Sequence, residues 1–211
     1  AARILLLDDV KNRFLFWGIE KDGDITHRLE STTGGFIFRD NVYNDKSIPN
    51  KWDNLYSAVK KHTPNDIIEE AAYTWFNRLM AIKILEKNGH TDPVLGYASE
   101  DLNEPAILRS AKRGNFPKMD DNYRQELNRH LSESNDDEAL AILLIHYCKD
   151  QPLLNSLFGQ IDDYTELLLP TSLLSRGGII ELINNEEYIS DDDYKEVELI
   201  GWLHQFYIAD K

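Results

Sequence analysis

The chain is poor in cysteine, in methionine and in positive charge. Cys148 is the one cysteine among 211 residues. That excludes a disulfide framework and any cysteine-based zinc site, and it fits a reducing cytoplasm. No uninterrupted apolar run approaches the roughly 20 residues needed to cross a bilayer, and no signal-peptide pattern opens the sequence, so no membrane partner is expected. The first residue is Ala1, and Met80 and Met119 are the only methionines; the sequence reads as a fragment or a processed chain. Catalytic signatures are missing as well. There is no Gly-x-Gly-x-x-Gly, no Walker-type lysine loop to cradle phosphate and no Gly-x-Ser-x-Gly elbow to present a serine. His27, His62, His90, His130, His146 and His204 are widely spaced and form no His-x-x-x-His pair. Each reads as a surface or hydrogen-bonded core residue rather than a metal ligand.

Net charge is −14, from 23 basic and 37 acidic residues. Residues 1–90 hold 13 of each sign, so the whole deficit lies in residues 91–211. Tight non-specific binding to a phosphate backbone needs a positive footprint, and the chain as a whole does not carry one.

What the sequence does have is apolar patterning. Hydrophobic residues make up 42% of it, with 4 Trp, 10 Tyr and 8 Phe, enough for one large domain or two small ones. From Arg3 to Trp17, the recurrence of Ile4, Leu7, Val10, Phe14 and Trp17 predicts a helix, closed by Gly18 and the turn residues 21–24. One small β element, half of a hairpin, is expected near 34–43. From Pro49 on the reading is almost wholly helical. The strongest element runs over about 63–88, with Thr63 as N-cap, Pro64 in the first turn and Gly89 as the left-handed stop. Ile68, Ala71, Ala72, Trp75, Leu79, Ile82 and Leu85 form its apolar stripe, which Phe76, Met80 and Ile84 widen around the circumference. Such a helix belongs at the centre of a core. Shorter helices are expected over Asn103–Arg113, Asp121–Leu131, Asn135–Lys149 (capped by Asn135), Leu153–Phe158 and Ser172–Ile183. A final helix should open at Ser190 and run through Val197, Ile200, Gly201, Phe206 and Ile208. The fold class is therefore mostly α: a multi-helix domain around one central apolar helix. Residues 1–62 hold the first helix, the β element and a connecting helix, and residues 63–211 a helical bundle, the two forming one contiguous unit.

Few residues suggest chemistry. Cys148 reads as a small buried hydrophobe. Asp191, Asp192 and Asp193 could ligate a hard cation, but a helix start favours negative charge without one. Asp162–Asp163 and Glu186–Glu187 are discounted in the same way. One basic cluster survives in the acidic part: Arg109, Lys112, Arg113 and Lys118. It either complements a helix C-terminus or contacts DNA phosphates. No catalytic, cofactor-binding or metal residue is assigned.

The central helix carries Ala72-Tyr73-Thr74-Trp75-Phe76-Asn77-Arg78-Leu79-Met80-Ala81-Ile82-Lys83. This stretch, with residues 10–18, 105–108 and 197–207, resembles in order the N-terminal region of the PglX-type adenine-specific DNA methyltransferases of BREX phage-defence systems. The resemblance implies a longer, S-adenosylmethionine-dependent parent that methylates adenine N6 in DNA, with its own methyltransferase domain following this segment. It also implies contact with other defence-system or restriction-modification proteins. The catalytic hallmark of such enzymes, an Asn-Pro-Pro-Tyr-type loop that holds a flipped adenine, is lacking: the seven prolines, 49, 64, 93, 105, 117, 152 and 170, all stand apart. No cofactor is therefore expected in this segment. Three readings stand open: a non-catalytic domain of the methyltransferase, a free-standing acidic protein-interaction module, and a DNA-contacting domain working through the basic cluster. For the last, charge reversal at Lys112 and Arg113 should weaken DNA binding.

Overall fold

The structure is a computed structural model that describes residues 2–99, 102–159, 161 and 163–195. Ten helices and two small antiparallel sheets are found among these residues, so the chain is mostly α.

Helix α1 (Ala2–Phe16) ends at Gly18, whose φ of 77° lies in the left-handed region. A Cβ at Gly18 would meet the backbone and Cβ of His27 at 2.8 Å, so glycine is required there on two grounds. The buried stripe of α1 is Leu6, Val10, Phe14 and Trp17, whereas Ile4 is 66% exposed and Leu7 half-buried. The expected stripe was thus right from Val10 onward and off by one residue before it. Sequence spacing accepts either an i−4 or an i−3 neighbour of Val10, and the packing takes the i−4 one.

Strands β1 (Glu30–Thr32), β2 (Gly35–Phe38) and β3 (Asn41–Tyr43) form a three-stranded meander, one strand more than a hairpin. Register pairs Ser31 with Phe36 and Phe36 with Tyr43. Phe38 turns inward onto Trp17, their ring centroids 5.2 Å apart. Helix α2 (Ile48–Val59) follows and buries Ile48, Trp52 and Leu55 along with Lys51.

Helix α3 (Pro64–Lys87) is the central helix, with the predicted bounds. Thr63 and Asp66 close a reciprocal capping box: the Asp66 backbone N–H donates to Thr63 Oγ1 at 3.2 Å, and the Thr63 N–H donates to the Asp66 carboxylate at 3.2 Å. Its buried residues lie all round the helix and include Asn77, Arg78 and Lys83, polar positions that the apolar pattern passes over.

A second sheet, absent from the sequence reading, pairs β4 (Tyr97–Ser99) with β5 (Leu102–Pro105). It takes the start of the helix expected at Asn103, so that α4 covers only Ala106–Lys112. The cause is local: the residue before a proline is pushed out of the helical region, so Glu104 stays extended and Pro105 becomes the N-cap. Helix α5 (Asp121–Ser132) is capped by the Asp120 carboxylate on two N–H groups. Helix α6 (Asp136–Asp150) starts after Asn135, but the Asn135 side chain makes no cap bond; it lies 3.2 Å from His130 Nδ1 instead. Helices α7 (Pro152–Phe158) and α8 (Asp163–Leu167) are short. Helix α9 is confined to Ile179–Asn184, because Gly177, at φ 72°, breaks the helix expected from Ser172. Helix α10 (Asp191–Lys195) opens with Ser190 and Asp193 in the anticipated reciprocal cap. The rest of the predicted last helix, with residues 197–207, lies outside the described residues, as does Asp162.

The core is drawn together by α8. The Trp17 indole donates to the Leu167 carbonyl at 2.8 Å, Arg13 Nε donates to the same oxygen at 3.2 Å, and the Trp75 indole donates to the Thr165 carbonyl at 2.9 Å. Carbonyls near the end of so short a helix are open to further donors, and buried indoles supply them, at Thr165 beside the Leu168 N–H and at Leu167. The Trp52 indole closes the set on the Trp17 carbonyl at 2.9 Å.

Candidate functional site

The predicted basic cluster is only partly available for contact. Arg109 and Lys112 lie in the last turn of α4, Arg113 is its C-cap, and Lys118 follows in the connection to α5. Lys112 Nζ is held between Glu104, at 2.6 Å, and Asp136, at 2.7 Å. Among the described residues the side chains of Arg109, Arg113 and Lys118 form no ion pair, and Arg113 and Lys118 are exposed.

Polar side chains converge instead on a cavity of about 110 Å³ bounded by α1, α2, α5, α6 and α8. Lys51, 6% exposed, lies 2.8 Å from Glu166 Oε2 and 3.6 Å from Asp45, and it donates to the Tyr123 hydroxyl at 3.0 Å. Glu166 is also buried and takes a second lysine, Lys149, at 2.5 Å. Burial works to lower the Lys51 pKa, but the opposing effect of Glu166, Tyr123 and Asp45 is larger and raises it above the ordinary lysine value. His146, 8% exposed, packs edge-on against Tyr123 with centroids 4.4 Å apart. Among the described residues its Nε2 is buried without a hydrogen-bond partner, and burial pushes its pKa down. Glu126 accepts from Arg129 and lies 3.3 Å from His130 Nε2, which together hold its carboxyl below the usual range against the effect of burial.

Near the far end of α3, Lys83 is 3% exposed and lines a cleft of about 330 Å³. It donates to Asn184 Oδ1 at 2.6 Å, while Glu86 Oε1 stands 3.9 Å away. The Glu86 oxygens are engaged by the backbone N–H groups of Leu95, at 2.7 Å, and Gly96, at 3.0 Å. Here burial prevails, and the Lys83 pKa falls.

Other anticipated chemistry has ordinary structural roles. Cys148 is 1% exposed, and burial pushes its thiol up to about 12, which is the character of an inert core cysteine. Asp191 pairs with Lys87, Asp192 with Lys195, and Asp193 with Ser190. No group of three or more His, Cys, Asp or Glu side chains suited to a metal occurs among the described residues. No described helix is long and apolar enough to cross a membrane. Sequence reasoning missed Lys51, Lys83, His146 and Glu166 as a class, for a charged residue beside apolar ones on a helix carries no local signal of burial.

No protein-family model matches the chain. Whole-protein comparison is decisive. The chain is 29% identical over 234 residues to the adenine-specific methyltransferase PglX of Lacticaseibacillus casei (strain Zhang), a match that takes in 98% of this chain. Its similarity is to the PglX and BrxX adenine-specific methyltransferases. It is also 32% identical over 148 residues, 69% of its length, to the adenine-specific methyltransferase BrxX of Escherichia coli O9:H4 (strain HS). The chain spans only 19% of that PglX and 12% of that BrxX. The kinship with PglX therefore runs through the helical architecture described above and accounts for a minor part of the larger proteins.

Proposed function

We propose that this chain is a non-catalytic, N-terminal helical domain of a site-specific, S-adenosylmethionine-dependent adenine-N6 DNA methyltransferase of a BREX-type phage-defence system. Its role is to support the catalytic domain. The observation that carries the reading is the mismatch of coverage: nearly all of this chain aligns with PglX, yet it makes up only 19% of that protein. Supporting it, the sequence has no glycine-rich cofactor motif and no adjacent prolines for an Asn-Pro-Pro-Tyr loop. The methyl donor and the reacting adenine then belong to the remainder of the parent. The test is direct. Purified as the 211-residue chain, the protein should show no S-adenosylmethionine binding by calorimetry and no transfer of labelled methyl to DNA, whereas the intact methyltransferase should show both. Either activity in the isolated chain overturns the proposal.

Contact with DNA is a secondary part of this reading, favoured by the exposed Arg113 and Lys118 and by Arg109, whose side chain forms no ion pair among the described residues. Lys112 contributes less, being committed to Glu104 and Asp136. Acidic surroundings limit such a patch to positioning the phosphate backbone. Arg113→Glu with Lys118→Glu in the intact enzyme should weaken DNA binding and lower its salt slope by about 1 to 2; an unchanged slope removes this part. The excess of acid in residues 91–211 favours a cationic protein partner as the alternative. That alternative takes the lead if the parent reading frame carries no methyltransferase motifs.

A further inference from the structure

In the cavity between α1, α2, α5, α6 and α8, Lys51 and Glu126 are fully engaged by neighbours, but one facing pair is not. Arg13 and Glu138 both line the cavity, with side chains 14% and 32% exposed. Arg13 Nε is fixed by the Leu167 carbonyl at 3.2 Å, which locks the plane of the guanidinium. Its Nη1 stands 3.9 Å from Glu138 Oε1, beyond hydrogen-bond reach. The two form a long ion pair with no direct hydrogen bond between them, the guanidinium resting against the rings of Phe16 and Trp17, so N–H donors and a carboxylate acceptor stand side by side with room for a bridging group. Half-buried groups of this kind gain from a partner that hydrogen-bonds both. Beside them, Trp17, Tyr43, Ile142, Ile145 and Leu169 give flat or apolar wall, while the other charged lining groups, Lys51, Glu126 and Glu166 among them, are already paired with one another or with neighbours. His146 adds its unpartnered, buried Nε2 to the same lining.

We propose that this cavity binds a small, neutral, planar molecule whose edge carries a hydrogen-bond donor beside an acceptor, the acceptor meeting Arg13 and the donor meeting Glu138. Primary carboxamides and amino-substituted nitrogen heterocycles share that edge. The charges select for it. A carboxylate ligand would satisfy Arg13 but face Glu138, an ammonium would do the reverse, and a neutral amide-like edge suits both. Volume limits the size: about 110 Å³ is of the order of the roughly 150 Å³ that accommodates one benzene ring. The aromatic walls favour a flat body. The site lies wholly on this chain, so it stands or falls separately from the methyltransferase reading.

The experiment is ligand-observed NMR on the 211-residue protein with four probes: benzamide and cytosine, which carry the matched edge, and benzoate and benzylamine, which carry only acceptors or only a donor. Saturable binding of benzamide or cytosine, at least tenfold tighter than either mismatched probe, is expected. Preference between the two matched probes tells a carboxamide from a heterocycle. Glu138→Ala should weaken the matched probe at least tenfold while Lys21→Ala, at an exposed turn residue outside the cavity lining, leaves it unchanged. No saturable binding of either matched probe, equal binding of the mismatched ones, or full binding by a Glu138→Ala protein with native circular dichroism overturns the proposal. The comparison of probes needs no variant, so it decides the matter even if Glu138→Ala does not fold.

Discussion

Two lysines are buried to nearly the same degree, and their surroundings drive them in opposite directions. Lys51, on α2, faces two carboxylates and a phenol, and its charged form is favoured. Lys83, on α3, faces an amide oxygen and a glutamate whose oxygens are turned toward backbone N–H groups, and its charged form is disfavoured. Burial disfavours the charge on both, and the difference lies in how many free anionic acceptors each meets. Lys51 ties α2 to α8 and, through Glu166, to Lys149 on α6. Lys83 joins α3 to α9 through a single hydrogen bond to the Asn184 amide oxygen. A buried charge is thus not one kind of feature.

The largest test of this contrast is Lys51→Met. It leaves buried Glu166 with one lysine instead of two and strips Asp45 and Tyr123 of a cation, leaving them Ser47, so unfolding free energy by urea titration should fall by about 3 to 5 kcal/mol. Gly96→Ala comes next. A Cβ there would stand 2.7 Å from Glu86 Oε1 and 3.4 Å from Lys83 Nζ, forcing the glutamate off its two N–H donors at a cost of about 1 to 3 kcal/mol. Lys83→Met should cost no more than about 1 kcal/mol, since it loses one hydrogen bond but also removes a desolvated ammonium. If Lys83→Met proves as damaging as Lys51→Met, the contrast between the two sites collapses.

The smallest effect concerns pH. The folded-state pKa of His146 lies below its ordinary value of 6.5, so the unfolded chain takes up this proton first as pH falls through 6.5. Stability from this group is present above that pH and lost below it. The melting temperature should decline from pH 7.5 to pH 5.5, and His146→Leu should remove about 1 kcal/mol or less of that dependence. The lysines behave oppositely at the alkaline end. Lys51, raised in the fold, loses its contribution as pH climbs past 10.5, whereas the penalty on Lys83 shrinks toward the same pH.

How legible the fold was depended on how local its causes were. The bounds of α3 were readable because Thr63, Pro64, Asp66 and Gly89 act within one turn of the helix ends. The caps of α10 and the stop at Gly18 belong to the same class. Failures arose where a local signal had a competitor. Pro105 outweighed the apolar spacing of residues 103–108 and made room for β4 and β5. Gly177 outweighed it over 172–178. Asn135, a good cap by composition, turned its side chain to His130.

The candidate site was hardly legible at all. Four cations clustered in sequence, Arg109, Lys112, Arg113 and Lys118, drew attention because adjacency is visible in a string of residues. The structure shows one of them, Lys112, already neutralised by Glu104 and Asp136. The denser polar group joins Arg13, Lys51, Tyr123, Glu138, His146 and Glu166, which no spacing rule connects.

By itself, then, the sequence determined the helical class, the central helix and its caps, the buried character of Cys148 and the kinship with PglX. These rest on periodicity, capping chemistry and ordered motifs, all of which act over short stretches of chain. Tertiary structure alone decided which of two i−3 or i−4 neighbours α1 buries, where Glu166 finds its two lysines, and that Arg13 and Glu138 face one another as a long ion pair with no hydrogen bond. Those outcomes depend on distances between segments far apart in the chain, and a hydrogen bond forms only when such a distance closes to about 3 Å, an ion pair when it closes to about 4 Å.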